Sequence, residues 1–370
     1  MTAALSAAER LARLRLARSE NIGPVTFRDL LEHFGNAVAA LDALPDLAAR
    51  GGAKRAIRIA REGDAEAELA KTEKLGAQLL VLGDETFPAR LAVLDPPPPV
   101  ISVKGNLDLA TRKSIAIVGS RNASAAGRRI AGDMAEAFSR EGFTVVSGLA
   151  RGIDTAAHRA SLQGGTIAVL AGGLDIVYPE ENRGLQTEIG SRGVLVSEMP
   201  PGTSPQARHF PRRNRLISGL SLGVVVVEAA LRSGSLITAR FALEQGRDVF
   251  AVPGSPLDPR AQGSNKLIKD GAPLVENAAD VIAALSEPLG HLFREPEPPS
   301  FAPRSAAAPD TDRDTRERVL SALGPTPTPM DEIVRQAGAP VQQVRAAVLE
   351  LELAGRIHRD PGDRVSLLPE

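Results

Sequence analysis

The sequence predicts a mixed α/β protein. Its centre is a Rossmann-like, doubly wound and mostly parallel sheet, preceded by a helical SAM or helix-hairpin-helix-like module and followed by a winged helix. Three observations predict it. Between Ser114 and Leu285, short β-branched runs alternate with amphipathic helical stretches. Fully apolar runs such as Val224-Val225-Val226-Val227 need cover on both faces, as in a parallel sheet between helices. At the two ends of the chain the helical period dominates instead. The boundaries expected on this basis are 1–75 for the helical module, 76–285 for the Rossmann-like domain, 286–312 for a Pro-rich linker and 313–370 for the winged helix.

In the first module, a helix over Leu11–Ser19 breaks at Asn21-Ile22-Gly23-Pro24, and Thr26 is expected to cap the next helix, through Phe34. A second helical pair is broken at Gly51-Gly52. Two readings of the Ile-Gly-Pro turn stand: hairpin amides gripping a phosphate backbone, or a small protein-contact module. Pro96–Pro99 stiffens a connection, and Val100–Val103 follows as a short strand, expected at a sheet edge because of those prolines.

The central domain reads as strands Ser114–Val118, Thr144–Ser147, Thr166–Leu170, Gly193–Val196, Gly223–Val227 and Asp248–Val252. Helices fall near Ala125–Arg140, Asp154–Gln163, Glu181–Gly190, Ser235–Glu244 and Ala278–Leu285. Beyond the linker come helix Thr315–Leu323, a short helix from Met330 and helix Val341–Ala354. Strands Arg356–Arg359 and Val365–Leu368 around Pro361-Gly362-Asp363 form the wing.

Composition narrows the function. A net charge of -1 excludes a uniformly basic coat, so any nucleic-acid surface is a local patch. The absence of cysteine excludes disulfides, thiolate metal sites and a cysteine nucleophile. His33, His158, His209, His291 and His358 show no metal-ligand spacing, so no metal is expected. No apolar run approaches a membrane span and no signal-peptide core is visible, which makes the cytoplasm the expected compartment. Aromatic residues are 3%, with no Trp and a single Tyr178, so few rings are available for stacking.

In a doubly wound sheet, ligands bind at the carboxyl ends of the strands. The loops there are Gly119-Ser120-Arg121, Ser147-Gly148-Leu149-Ala150-Arg151-Gly152-Ile153-Asp154, Ala171-Gly172-Gly173, Ser233-Gly234-Ser235 and Pro253-Gly254-Ser255. Small residues let backbone amides approach a phosphate, and Arg121 and Arg151 add fixed charge to the same rim. At Gly172 and Gly173, turn formation explains the glycines equally well. The dinucleotide fingerprint and the Walker loop are both missing, so no cofactor is expected. Asp154 is read as a helix cap and His158 as a buttress for a loop. No nucleophile, base and orienting group form a catalytic set.

The stretch Arg208-His209-Phe210-Pro211-Arg212-Arg213-Asn214-Arg215 places four arginines and a histidine around one ring, with no acid between Glu198 and Glu228. Arginine forks match phosphate oxygens, and the ring offers a face to an unpaired base. A solvated basic turn capping a buried helix is the other reading.

Taken together, Ile117-Val118-Gly119-Ser120-Arg121, the Ser147–Asp154 loop, His209–Gly219 and Ser233–Ala239, with Gly263-Ser264-Asn265 beyond, resemble the DNA-processing protein A family (DprA, also called Smf). The resemblance implies a non-catalytic homodimer that binds single-stranded DNA. It also implies protection of the incoming strand and loading of a RecA-type recombinase past single-strand-binding protein during natural transformation. Carried onto this chain, the candidate strand-binding residues are Gly119, Ser120, Arg121, Ser147, Gly148, Leu149, Phe210, Arg212, Arg213 and Asn214, with Arg151 and Arg215 from the same two stretches. The alternative is a nucleoside monophosphate phosphoribohydrolase-like enzyme on a related fold, whose Pro-Gly-Gly-x-Gly-Thr-x-x-Glu loop is not matched by Glu228–Thr238. A duplex-specific regulator acting through the tail is the third reading; Glu350 and Glu352 on the would-be recognition helix argue against it.

Overall fold

The computed structural model describes residues 5–286, 311–360 and 362–368. The expected linker falls mostly on residues 287–310, outside the described residues. The chain divides into two compact units, one built from Glu68–Pro298 and the other from both chain ends, Met1–Ala67 and Pro299–Glu370.

The larger unit carries an eight-stranded sheet. Its strands are β1 (Gln78–Val81), β2 (Val100–Gly105), β3 (Ser114–Val118), β4 (Thr144–Ser147), β5 (Thr166–Val169), β6 (Val194–Ser197), β7 (Gly223–Val226) and β8 (Asp248–Ala251). They lie in the order β1-β2-β6-β5-β4-β3-β7-β8. The strands from β3 to β8 pair in parallel, whereas β2 runs antiparallel to β6 and β1 antiparallel to β2. The Rossmann-like reading therefore holds, and it acquires an antiparallel margin. The edge position expected for Val100–Val103 does not: β2 is interior, and β1 takes the edge. The prolines precede β2 and leave its ladder intact, which is why they did not force it outward.

Strands β3 to β7 are buried along their whole length because helices cover both faces. Ile115, Ile117, Val145 and Val225 pack with Met134 and Phe138 of helix Ala125–Arg140. Ala168, Leu170 and Leu195 pack with Leu185 and Ile189 of helix Arg183–Arg192. A further helix, His209–Leu220, absorbs the arginine-rich stretch that the sequence left outside any element.

In the smaller unit, helix Pro24–Phe34 starts with Gly23 at its cap and Pro24 in its first turn. Thr26 is buried inside that helix and does not cap it. Helix Ala37–Arg50 packs against helix Val341–Leu353 of the winged helix. The contact is close: a Cβ on Gly51 would lie 2.0 Å from the Glu350 carbonyl oxygen. Glu350 is fully buried, with Arg316 at 2.8 Å and Arg50 at 3.4 Å. Glu352 pairs with Arg359, which also reaches Asp29. Both acids thus face inward, and the acidic recognition surface expected from the sequence does not form.

Gly51→Ala is expected to lower the stability of this unit by about 2 kcal/mol or more, because overpacking against a backbone carbonyl has no flexible neighbour to absorb it. Gly63→Ala, in helix Glu62–Lys74 with nothing within 4 Å of the new Cβ, is expected to raise stability by about 0.5–1 kcal/mol. Urea denaturation of the two variants beside wild type checks both signs.

Candidate nucleic-acid interface

The chain runs outward from β3 through β4, β5 and β6, then returns to the other side of β3 as β7 and β8. The loops leaving β3 and β7 therefore part company, which opens a crevice at the carboxyl edge of the sheet. A cleft of about 520 Å³ occupies that point. Gly119, Ser120 and Arg121 line it from the β3 loop, Arg232 and Ser233-Gly234-Ser235 from the β7 loop, and Phe210, Arg213 and Asn214 from helix His209–Leu220. Ser233 caps helix Gly234–Glu244 by accepting from the Ser235 amide, so that helix N-terminus opens onto the cleft. Glu228 ties the two loops together, accepting from the Ser124 amide at 2.9 Å and its hydroxyl at 2.5 Å. Gly119 permits the close passage: a Cβ there would stand 2.6 Å from Ile153.

The β4 loop forms the rear wall. The amides of Gly148 and Ala150 donate to Asp154 at 3.1 and 3.2 Å. Asp154 sits in the first turn of helix Ile153–Ser161, whose cap is Gly152, so it holds the loop and not the helix start. The amide of Leu149, at a left-handed φ of 54°, donates to Nε2 of His158 at 3.3 Å. Thr166 gives its hydroxyl proton to the Val145 carbonyl, so it must accept from Nδ1 of His158 at 2.7 Å. Both ring nitrogens are thereby assigned, and the imidazole is neutral. Burial and the Arg213 charge push its pKa down to about 3. The buttress read from the sequence is thus a neutral histidine.

Arg213 is buried, with Nη1 3.4 Å from the Val169 carbonyl. Its guanidinium passes over Gly148, where a Cβ would overlap it at 1.2 Å. Burial lowers its pKa to about 10, opposed by Asp154. Burial likewise raises the Asp154 carboxyl, opposed first by Arg213. Above the guanidinium, the Phe210 ring has Arg121 5.0 Å from its centroid and Arg213 at 6.0 Å.

The expected site residues separate into groups. Gly119, Ser120, Arg121, Phe210, Arg213 and Asn214 meet around the cleft. Gly148 lies behind Phe210 in a smaller notch. Ser147 and Leu149 are buried in the β4 turn and do not line the cleft. Arg151 is exposed and pairs with Glu181 at 2.5 Å. Arg212 is exposed on the helix outside the cleft lining. Arg215 points elsewhere, to the Pro96 carbonyl at 3.0 Å and to Glu198 at 2.5 Å. Glu198, the last acid before the stretch, therefore neutralises one of its arginines through space. Sequence reasoning missed Arg232 and Tyr178. The first stands directly before Ser233-Gly234-Ser235, and the second is the chain's only tyrosine. Among the described residues, no group of three His, Asp or Glu could hold a metal, and no helix is long and apolar enough to cross a membrane.

A cationic cleft at the switch point of a doubly wound sheet, in a chain that also carries a helical module and a winged helix, defines an anion-binding α/β protein of the nucleic-acid-handling kind. The family described as DNA recombination-mediator protein A matches residues 78–286, its DprA-like N-terminal HHH domain residues 7–70 and its winged helix domain residues 302–363. The chain belongs to that family. It is 42% identical to protein Smf of Escherichia coli (strain K12) over 82% of this chain and 80% of the relative. The crystal structure of DNA processing protein A from Streptococcus pneumoniae superposes with a TM-score of 0.62 at 37% identity, covering 76% of this chain and 98% of that one. The protein from Helicobacter pylori, whose structure is described for its single-stranded DNA binding mode, gives 0.52 at 29% identity, over 56% and 95%.

The neutral His158 sets a pH dependence. The unfolded imidazole, titrating at 6.5, binds more protons than the folded one at about 3, so stability is full above that window and falls as pH drops through it. The limiting slope from this one group is about 1.4 kcal/mol per pH unit. Asp154, with its raised pKa, acts in the opposite sense. Urea midpoints measured from neutral to acid pH are expected to fall more steeply for wild type than for His158→Gln.

Proposed function

We propose that this protein binds single-stranded DNA in the cleft at the β3–β7 switch point and acts as a recombination mediator. The observation that carries the reading is Phe210 set in that cleft with Arg121 over its ring and Arg232 on the opposite loop. Arginines and a helix N-terminus suit a phosphate backbone, and a ring suits an unpaired base of any identity. The Helicobacter pylori relative's described binding mode supports it. The twelve residues expected from the sequence divide accordingly, with Phe210 as the stacking ring. Arg121 contacts phosphate, Gly119, Ser120 and Asn214 shape the cleft, and Ser147, Gly148, Leu149 and Arg213 support it from behind. Arg151 and Arg212 lie at its margin, and Arg215 anchors the helix.

In the finer form of this proposal, the protein works in the cytoplasm as a homodimer. It shields strands taken up in natural transformation and passes them to a RecA-type recombinase in place of single-strand-binding protein. The family description as recombination mediators supports the mediator role on which this form builds.

The test is fluorescence anisotropy of a labelled oligo-dT at several salt concentrations, with duplex as competitor. Wild type is expected to bind the single strand with affinity that falls as salt rises. Arg121→Ala is expected to weaken binding and flatten the slope of log K against log salt by about 0.7, the share of one phosphate contact on a single strand. Arg232→Ala should behave alike. Arg213→Ala is uninformative by comparison, since it removes a buried charge that Asp154 faces. Equal affinity and slope in wild type, Arg121→Ala and Arg232→Ala would remove the cleft from the proposal. For the finer form, the protein is expected to shorten the lag of recombinase assembly on strands coated with single-strand-binding protein.

A further inference from the structure

Phe210 has a second side. Behind it lies a notch of about 20 Å³, and across that notch stands Tyr178, from the segment after β5. The two ring centroids are 5.6 Å apart with planes inclined by 59°. Tyr178 is 47% exposed, and among the described residues it is the only aromatic side chain that is exposed. All the described phenylalanine rings are buried or half-buried, so among the phenyl and phenol rings only this one is held open to solvent beside the cleft.

Resting on the proposed single-strand binding, we infer that Tyr178 is a second stacking platform, taking the base next to the one held at Phe210. Two rings inclined this steeply cannot stack on one flat base, nor on two bases that remain parallel to each other. Each ring takes its own base, and the strand must splay between them. A single strand adopts that geometry at the cost of one unstacking step. A duplex, whose neighbouring pairs are parallel and paired, does not. The tilt of the ring pair thus selects single strands without reading sequence.

The chain has no Trp and one Tyr, so its intrinsic emission reports Tyr178 alone. Titration of the full-length protein with unlabelled oligo-dT, at matched absorbance, is expected to quench that emission saturably, with the midpoint found by anisotropy. An oligomer of the same length made of abasic sites should bind more weakly and leave the emission unchanged. Tyr178→Ala should lose about 5- to 150-fold in affinity for oligo-dT, the range of one base–aromatic stack. It should bind the abasic oligomer as wild type does. Tyr178→Phe, which keeps the ring and removes the fluorophore, should retain affinity. That variant also separates loss of stacking from loss of fold. Oligo-dT binding by wild type with unchanged emission, or wild-type affinity in Tyr178→Ala, overturns the assignment of Tyr178 while leaving the cleft intact. Absence of oligo-dT binding by folded wild type sinks the cleft reading itself and this inference with it.

Discussion

The cleft depends on one buried cation. Arg213 sits behind the carboxyl ends of the central strands, where an unpaired charge would be costly, and three features make it tenable. Asp154 supplies opposite charge from helix Ile153–Ser161. Gly148 supplies the volume, since any side chain there would occupy the place of the guanidinium. His158 holds the intervening turn while staying neutral, so no second cation is added. Phe210 lies three residues before Arg213, on the same side of helix His209–Leu220. Anchoring the arginine therefore fixes where the ring stands, and with it the wall of the cleft.

The arginines of this region divide by burial, and burial decides what each can do. Arg213 and Arg215 are spent internally, one against Asp154 and the other on Glu198 and the Pro96 carbonyl. They hold the helix to the sheet. Arg121, Arg208, Arg212 and Arg232 are exposed, with their forks open to solvent. A net charge of -1 means that these side chains work as a local field and not as part of a basic coat. The rim arginines and the N-terminus of helix Gly234–Glu244 supply charge and dipole from the two loops that diverge at the switch point.

What the sequence made legible follows from the range of the physics involved. Apolar strand runs and glycine-rich loops are local signals, and β3, β4 and helix Ala125–Arg140 stand where the pattern predicted them. Non-local facts were not legible. Arg208 to Arg215 look alike in sequence, yet the helical turn sends Arg213 inward and Arg212 outward. Glu198 lies outside the stretch and reaches Arg215 only because the chain folds back. β1 is short and follows a helix directly, so Gln78–Val81 carried no period long enough to separate it from that helix. The proximity of Tyr178 to Phe210 depends on two loops meeting and has no signature in either one.

The same distinction bears on the tail. Read as a string, helix Val341–Leu353 carries two acids that would repel a duplex; folded, both are inside. Repulsion is therefore not the reason to set duplex reading aside. The reason is coverage. From Ala346 to Leu351 every residue of the helix is buried, and helix Ala37–Arg50 packs on it closely enough to exclude a Cβ at Gly51. What stays open is the first turn and a half, Val341, Gln342, Gln343 and Arg345, and Arg345 is paired with Asp363 at 3.3 Å. Duplex affinity comes chiefly from several phosphate contacts made by free cations. One paired arginine does not supply them. The two terminal modules are instead joined in a single unit around a buried glutamate, and the proposed strand-binding chemistry rests on the cleft of the sheet.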